Sequence, residues 1–175
     1  MRNYFLFVLI LICSCNKNEP VSIHKYFDLK KYFETEASRL QSENMQLEKV
    51  LIKGVQSENV HDDSVNWSKT LAPFISCDIN KPSWNNSYSV DSIRSDSSLV
   101  LIYKSLEENL PVRTIEVAWK NDLVTSVKIQ KERNTYYYTS SETYEYHPAG
   151  FEMKGKQKVR MMDEVNYEIT GTFIK

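Results

Sequence analysis

The chain has 175 residues and a formal net charge of −1, with 41% hydrophobic and 26% charged residues. This near-neutral balance excludes the basic surface of a nucleic-acid-binding protein and the composition of a disordered chain. Four glycines, five prolines and the absence of a fixed-period repeat also exclude low-complexity linkers and repeat arrays. The length suits one domain.

The N-terminus has the pattern of a secretory signal. Arg2 supplies a positive charge, and an apolar run over residues 5–12 follows it. Eight helical residues reach about 12 Å, too short for the ~30 Å hydrocarbon core of a bilayer. Because Ser14 before Cys15 supplies the small residue that cleavage requires, residues 1–14 are predicted to be a lipoprotein signal peptide.

The residues Ile12-Cys13-Ser14-Cys15 resemble the lipobox of bacterial lipoproteins, in which the final cysteine takes a diacylglycerol and, after cleavage, an acyl chain on its amino group. The resemblance implies lipidation of Cys15 and stable membrane attachment, because several acyl chains bury many methylene groups. Asn16 replaces the aspartate that favours inner-membrane retention in many enteric lipoproteins, so the implied address is the outer membrane. A periplasmic and a surface-facing domain both stay open, and ordinary secretion is the alternative.

Residues 15–24 are polar and contain Pro20, so we predict a lipidated tether followed by one domain over residues 25–175. Cys13 leaves with the signal peptide and Cys15 is acylated. Cys77 therefore has no partner with which to form a disulfide.

Two helices and a hairpin are predicted in the first part of the domain. A hairpin over residues 47–53 and 55–60 is punctuated by Gly54. A second helix over residues 64–76 is capped by Asp63 or Ser64, and Pro73 predicts a kink or an early end. The first helix is indicated by apolar residues at three- and four-residue spacing, namely Leu29, Tyr32, Phe33, Ala37 and Leu40.

From residue 88 onward the apolar residues alternate with polar ones, and short turn-like linkers separate the segments. Neighbouring strands should therefore pair antiparallel. The predicted fold class is α+β, a curved antiparallel β-meander of about seven to nine strands covered by one or two N-terminal helices, with an open half-barrel as one form of it. The predicted strands are residues 88–93, 99–106, 112–119, 123–129, 136–146, 151–161 and 165–174.

The last hairpin can be registered if residues 162–164 form its loop. Gly155 then faces Gly171, and Met153 faces Phe173, on the inner side of the sheet. Paired glycines leave room either for a ligand slot or for a bulky core residue that packs against them. These four residues are the candidate ligand face. In the predicted strand over residues 151–161, the inward-pointing side chains are expected to be Phe151, Met153, Val159 and Met161.

The outward side chains of the same strand form a basic row: Lys154, Lys156, Lys158 and Arg160. The row is a candidate anion face for a lipid headgroup or a lipopolysaccharide phosphate. Ordinary cross-strand charge pairs on a solvated face explain it as well. Tyrosines from Tyr136 to Tyr146 offer a stacking platform for sugars, although tyrosine is also a common strand residue.

No catalytic residue, cofactor or metal site is predicted. The mature histidines are His24, His61 and His147, and neither a Gly-x-Ser-x-Gly elbow nor a His-Glu-x-x-His helix is present. His61-Asp62-Asp63 is typical of a solvated cap before a helix. The triplets that contain Ser64 and Ser92 resemble the O-glycosylation sites of Bacteroides-type bacteria, and capping or turn formation explains them equally well.

Lipobox, amphipathic helix and terminal strands together resemble the small uncharacterised outer-membrane lipoproteins of Bacteroides-type bacteria. A helix on a curled meander is also similar to the half-barrel of the periplasmic lipoprotein carriers and their receptor. The expected function is therefore a non-enzymatic envelope lipoprotein that binds an apolar ligand or a protein partner on its sheet face. A structural or complex-forming lipoprotein with a filled core is the alternative, and a hydrolase comes third. The partners are the membrane and a lipid or envelope protein, not nucleic acid; the oligomeric state stays open.

Overall fold

The structure, a computed structural model, describes residues 25–175. The predicted signal peptide, Cys15 and the tether lie outside this part of the chain. The first element is helix α1 (Leu29–Ser42), which begins where the Asp28 carboxylate accepts a hydrogen bond of 2.9 Å from the amide of Lys31. Of the predicted stripe, Leu29, Phe33, Ala37 and Leu40 are buried, and Tyr32 is partly buried beside them.

Two short helices stand where one was predicted. Helix α2 (Trp67–Thr70) is capped by the side chain of Asn66, and helix α3 (Ala72–Ile75) begins directly after Leu71. Because proline lacks an amide hydrogen and is tolerated only in the first turn of a helix, Pro73 sits at the start of α3. A single turn of 3₁₀ helix follows at Pro82–Trp84.

Nine antiparallel strands form one sheet, which confirms the predicted α+β class. Strands β3 to β9 make the expected meander in chain order, and the β1–β2 hairpin joins it by pairing β1 with β9. The sheet is open and uncurled, with β2 at one edge and β3 at the other, so the predicted curvature and the half-barrel form are wrong. The strands are β1 (Gln46–Lys53), β2 (Gln56–Asp62), β3 (Tyr88–Arg94), β4 (Ser98–Ser105), β5 (Val112–Lys120), β6 (Leu123–Asn134), β7 (Tyr138–His147), β8 (Gly150–Val159) and β9 (Val165–Ile174).

The register of the last hairpin differs from the predicted one by four residues. Gly155 lies opposite Tyr167, and Gly171 lies opposite Phe151, so the two glycines do not face each other. The last paired residues are Gln157 and Val165, which leaves a connection longer than the expected three residues. Of the four side chains predicted to point inward from β8, Phe151 and Met153 are buried, whereas Val159 and Met161 are exposed. The buried part of this strand is therefore shorter than predicted.

The two faces of the sheet differ in character. The helix-side face carries the buried residues of each strand, such as Val117, Val127 and Tyr146. The opposite, outer face carries ion pairs between neighbouring strands, for example 2.6 Å between Lys128 Nζ and Glu145 Oε1. One face is therefore the core and the other is solvated, as the period of two predicted.

A polar contact attaches α1 to the sheet. The hydroxyl of the fully buried Tyr146 donates a hydrogen bond to the carboxylate of Glu36, which also pairs with Arg39 at 2.9 Å. Burial, followed by the hydrogen bond to Glu36, raises the pKa of Tyr146 far above its usual value. The tyrosine therefore stays protonated and keeps donating.

Tyr146→Phe should lower the free energy of unfolding by about 1.5–3 kcal/mol, the range for a hydrogen bond to a charged group. Because folding raises the pKa of Tyr146 above its unfolded value near 10, the contribution is complete below about pH 10 and is lost as the pH rises further. Urea unfolding at pH 7 and at alkaline pH measures both effects. The exposed Tyr137→Phe is the control, and equal losses in the two variants would contradict the assignment.

Candidate functional site

The helices cover only one end of the helix-side face. At this covered end, where β1 begins and β9 ends, Phe33 of α1 stacks on Phe74 of α3 with 4.9 Å between ring centroids. Both rings contact Tyr146 on β7, at 5.1 and 6.0 Å. Phe151 and Phe173 extend the cluster towards β8 and β9. Aromatic side chains therefore fill the covered end.

On β1, β8 and β9 the other end of the same face is uncovered, and we call this part the open face; on β3 and β5 that end is closed, because Tyr88 and Val112 are buried. Along β9 the inward side chains change from 7% exposed at Phe173 to 39% exposed at Val165. A groove of about 340 Å³ runs over this region between β1, β8 and β9. Apolar groups predominate among its lining side chains, which include Leu51, Val159, Met162, Val165, Tyr167 and Ile169.

A half-buried polar cluster stands next to this groove, on β6 and β7. The Nζ atom of Lys131 lies 3.0 Å from Glu142 Oε2 and donates to the hydroxyl of Tyr144 at 3.1 Å. The Tyr144 hydroxyl in turn donates to Glu142 Oε2 at 2.6 Å. Lys131 also sits over the Tyr144 ring, 4.7 Å from its centroid. Each member of the cluster thus contacts the other two.

The environment sets the charge of this cluster. Burial acts to raise the pKa of the Glu142 carboxyl, but hydrogen bonds from Tyr144 and Lys131 outweigh it and leave that pKa below its usual value. Burial, followed by the hydrogen bond to Glu142, raises the pKa of Tyr144. Glu142 is therefore ionised and Tyr144 protonated at neutral pH. Such a group offers oriented hydrogen bonds to the polar end of a ligand whose apolar part lies in the groove.

The candidate ligand face of the sequence analysis is divided between the two ends. Met153 and Phe173 belong to the filled covered end, where both are buried. At Gly171 the ring of Phe151 occupies the space that a Cβ would need, and at Gly155 a Cβ would lie 2.5 Å from the ring of Tyr167. An aromatic ring from the paired strand thus covers each glycine.

The candidate anion face lies on the outer side of the sheet. Lys154 is paired with Glu152 at 2.9 Å and with Glu168 at 3.6 Å, and the first of these contacts, a hydrogen bond to Glu152, raises its pKa. Lys154 and Lys156 line a shallow trough of about 350 Å³ together with hydroxyl groups of β7. Lys158 is exposed further along β8, and Arg160 lies past its end. Carboxylates thus offset part of the positive charge of this row.

The candidate metal ligands and nucleophiles among the described residues are not arranged for catalysis. Among residues 25–175, no three side chains of the His, Cys, Asp or Glu type come together as metal ligands would. His61 contacts Asp63 at 2.7 Å at an exposed position. Burial raises the pKa of the Cys77 thiol to about 11, which disfavours the thiolate that a nucleophile requires. His24 lies outside the described part of the chain.

Two further sites of the sequence analysis lie on the surface. Ser64 and Ser92 are both exposed, the first between β2 and α2 and the second in β3.

Within residues 25–175, no helix has both the length and the apolar character needed to cross a bilayer.

No known protein-family model, curated protein or solved structure matches this chain.

The open face and its polar cluster could not be found from the alternation of residues alone. Lys131 lies past the predicted strand over residues 123–129, and Glu142 lies within the predicted strand over residues 136–146, where a period of two indicates which face a side chain occupies but not whether a helix covers it. The tyrosines considered as a stacking platform are also divided. Tyr144 and Tyr146 are buried in the core, whereas Tyr136 and Tyr137 are exposed at a hairpin tip.

The two ring-covered glycines should respond differently to alanine. Gly171→Ala should cost roughly 1–3 kcal/mol of stability, because the added methyl group displaces the buried Phe151 ring. Gly155→Ala should cost less, because the half-buried Tyr167 can turn towards the open face. Thermal unfolding of both variants measures the difference, and an equal or larger loss at Gly155 would show that the open face is packed.

Proposed function

We propose that this protein is a non-enzymatic envelope lipoprotein, anchored to the outer membrane through Cys15, that binds an apolar ligand or a protein partner on its open face. The observation that carries the binding role is the uncovered apolar groove beside the Lys131–Glu142–Tyr144 cluster. A concave apolar surface with a few convergent polar groups is the usual form of a ligand site. The domain faces either the periplasm or the cell surface.

The proposed anchor is supported by the order of features at the N-terminus. A positive charge, a short apolar run, a small residue and Cys15 follow one another within the first fifteen residues. Anchoring by several acyl chains needs no membrane-crossing segment in the domain.

A second candidate function is a structural or complex-forming lipoprotein with a filled core. The aromatic cluster at the covered end favours it, because Phe33, Phe74 and Tyr146 leave that end without a slot for a ligand. The two candidates differ in what they expect of the open face. A binding protein needs its groove to accept a ligand, whereas a structural one does not.

The anchor is tested by replacing residues 1–15 with an ordinary secretory signal peptide that leaves no lipid. The native protein should stay with the membrane through an alkaline carbonate wash, and the replaced form should appear in the soluble fraction, because acyl chains resist a treatment that strips surface-bound proteins. Mass spectrometry of the native N-terminal peptide should show an acylated Cys15. Retention of the replaced form after the wash, or an unmodified Cys15, would contradict the assignment.

The binding role is tested with a fluorescent fatty acid as the probe. Val165→Arg places a charge in the groove and should weaken binding by roughly tenfold or more, since charge and apolar surface are poorly compatible. Val90→Arg is the matched control, because Val90 is 48% exposed on β3, far from the groove, against 39% for Val165. The control should bind as the wild type does. Equal binding by both variants, or no binding by the wild type, would favour the structural role.

A further inference from the structure

Two hairpins at the open end of the sheet carry large apolar side chains on their tips. Tyr136 and Tyr137, in the β6–β7 connection, are 71% and 69% exposed. Met161 and Met162, in the β8–β9 connection, are 97% and 65% exposed. We call these four residues the tip cluster. These four side chains contribute little to the stability of the fold, because an apolar side chain stabilises a protein only when it is buried away from water.

The two tips form one continuous surface. The amide of Arg160 donates to the carbonyl oxygen of Tyr137 at 2.9 Å, which ties one hairpin to the other. The guanidinium group of Arg160 lies 4.2 Å from the centroid of the Tyr136 ring. The rings of Tyr136 and Tyr137 meet edge to face, 4.7 Å apart. The cluster is therefore a preformed patch with a cation at its side.

The backbone at Met161 adds an independent sign that this exposure has a role. Its φ angle is 67°, in the left-handed region that residues other than glycine, asparagine and aspartate rarely occupy. The fold thus holds a methionine in a strained conformation with its side chain almost wholly in solvent. Strain without a packing gain is typical of positions that serve function.

Apolar tips are concentrated at this end of the sheet. Val55 and Leu106, in the β1–β2 and β4–β5 connections, are also exposed there. At the opposite end the connections are made by polar or small residues, namely Ser95, Asp96 and Ser97, then Asn121 and Asp122, then Pro148 and Ala149. Leu123 and, one residue before the end of β3, Ile93 are exposed apolar residues at that end.

The chain enters the domain at the same end as the tip cluster. Lys25 Nζ donates to Asn86 Oδ1 at 2.9 Å, and the Tyr26 hydroxyl donates to the carbonyl oxygen of Asn85 at 2.9 Å. These asparagines directly precede β3, which begins at the open end. Residues 15–24 span at most about 33–36 Å. An anchor at Cys15 therefore holds the entry point of the domain within that distance of the bilayer.

We propose that the tip cluster inserts into the headgroup region of the lipid bilayer that holds the anchor. Tyrosine suits this region because its ring is apolar and its hydroxyl is polar. Methionine side chains enter the upper acyl region, and Arg160 extends its guanidinium group to lipid phosphate. The proposal rests on the proposed anchoring at Cys15 and adds an orientation, in which the strands stand on the membrane with the open end down.

This orientation links the membrane to the open face. Met162 belongs to the tip cluster and also lines the groove, together with Val159 and Val165. The groove consequently opens at the level of the lipid surface. An acyl chain that leaves the bilayer reaches the groove without crossing water.

The test uses the full-length lipidated protein in vesicles of phosphatidylethanolamine and phosphatidylglycerol with brominated acyl chains. A polarity-sensitive fluorophore is attached at Met161→Cys or, as the control, at Leu123→Cys on the opposite end. The buried Cys77 contributes little labelling. Insertion about 5–10 Å into the headgroup boundary should reduce emission at position 161 by about half or more, and emission at position 123 should not change.

Two variants show whether the tip cluster causes the insertion. Tyr136→Ser combined with Tyr137→Ser should restore most of the emission at position 161, because it removes the two neighbouring anchors. Ile93→Ser is the matched control, since Ile93 is 63% exposed on β3 away from the tips, and it should leave the quenching unchanged.

Equal quenching at positions 161 and 123, or no quenching at either in vesicles that carry the protein, would overturn the proposal. A blue shift at position 161 that needs no lipid and increases with protein concentration would overturn it in favour of a contact between two copies. Failure of the protein to load onto vesicles at all would instead contradict the anchor at Cys15.

Discussion

The stacking of Phe33 on Phe74, against Tyr146 on β7, determines how the helices pack on the sheet. It brings α1, α3 and the sheet together at one point, and the Glu36 carboxylate then fixes that point through the Tyr146 hydroxyl. Because these rings and their neighbours occupy the covered end, the helices cannot also shield the other end of the strands. The open face is a direct consequence of where the aromatic cluster lies.

Simple dimensions explain why the cover is incomplete. A helix of fourteen residues, such as α1, is about 21 Å long and 10 Å wide. Ten-residue strands are about 33 Å long, and nine of them span about 38 Å. Helices α2 and α3 add one turn each. One face of the sheet therefore keeps an uncovered part, in which the groove lies. The Lys131–Glu142–Tyr144 cluster stands at the border of the covered end, where the Phe74 ring of α3 lies 5.7 Å from the Tyr144 ring.

Local patterns predicted the α+β class, the stripe of α1 and the position of every strand, because periodicity and turn residues act over a few neighbours. They could not predict that β1 pairs with β9, since that contact joins distant segments. The predicted register of the last hairpin was wrong because its connection was assumed to be residues 162–164, whereas the pairing of β8 with β9 already ends at Gln157. The exposure of the groove depends on the size of the covering layer, which no strand pattern encodes.

The helix-side face passes from filled to open along a single strand, and thiol labelling along β9 measures this change. Val165→Cys, Ile169→Cys and Phe173→Cys place one probe each on the same face, at increasing distance from the open end. Labelling rates should fall from position 165 to position 173, with position 173 nearly protected. Equal rates at the three positions, or protection at position 165, would contradict this change from filled to open.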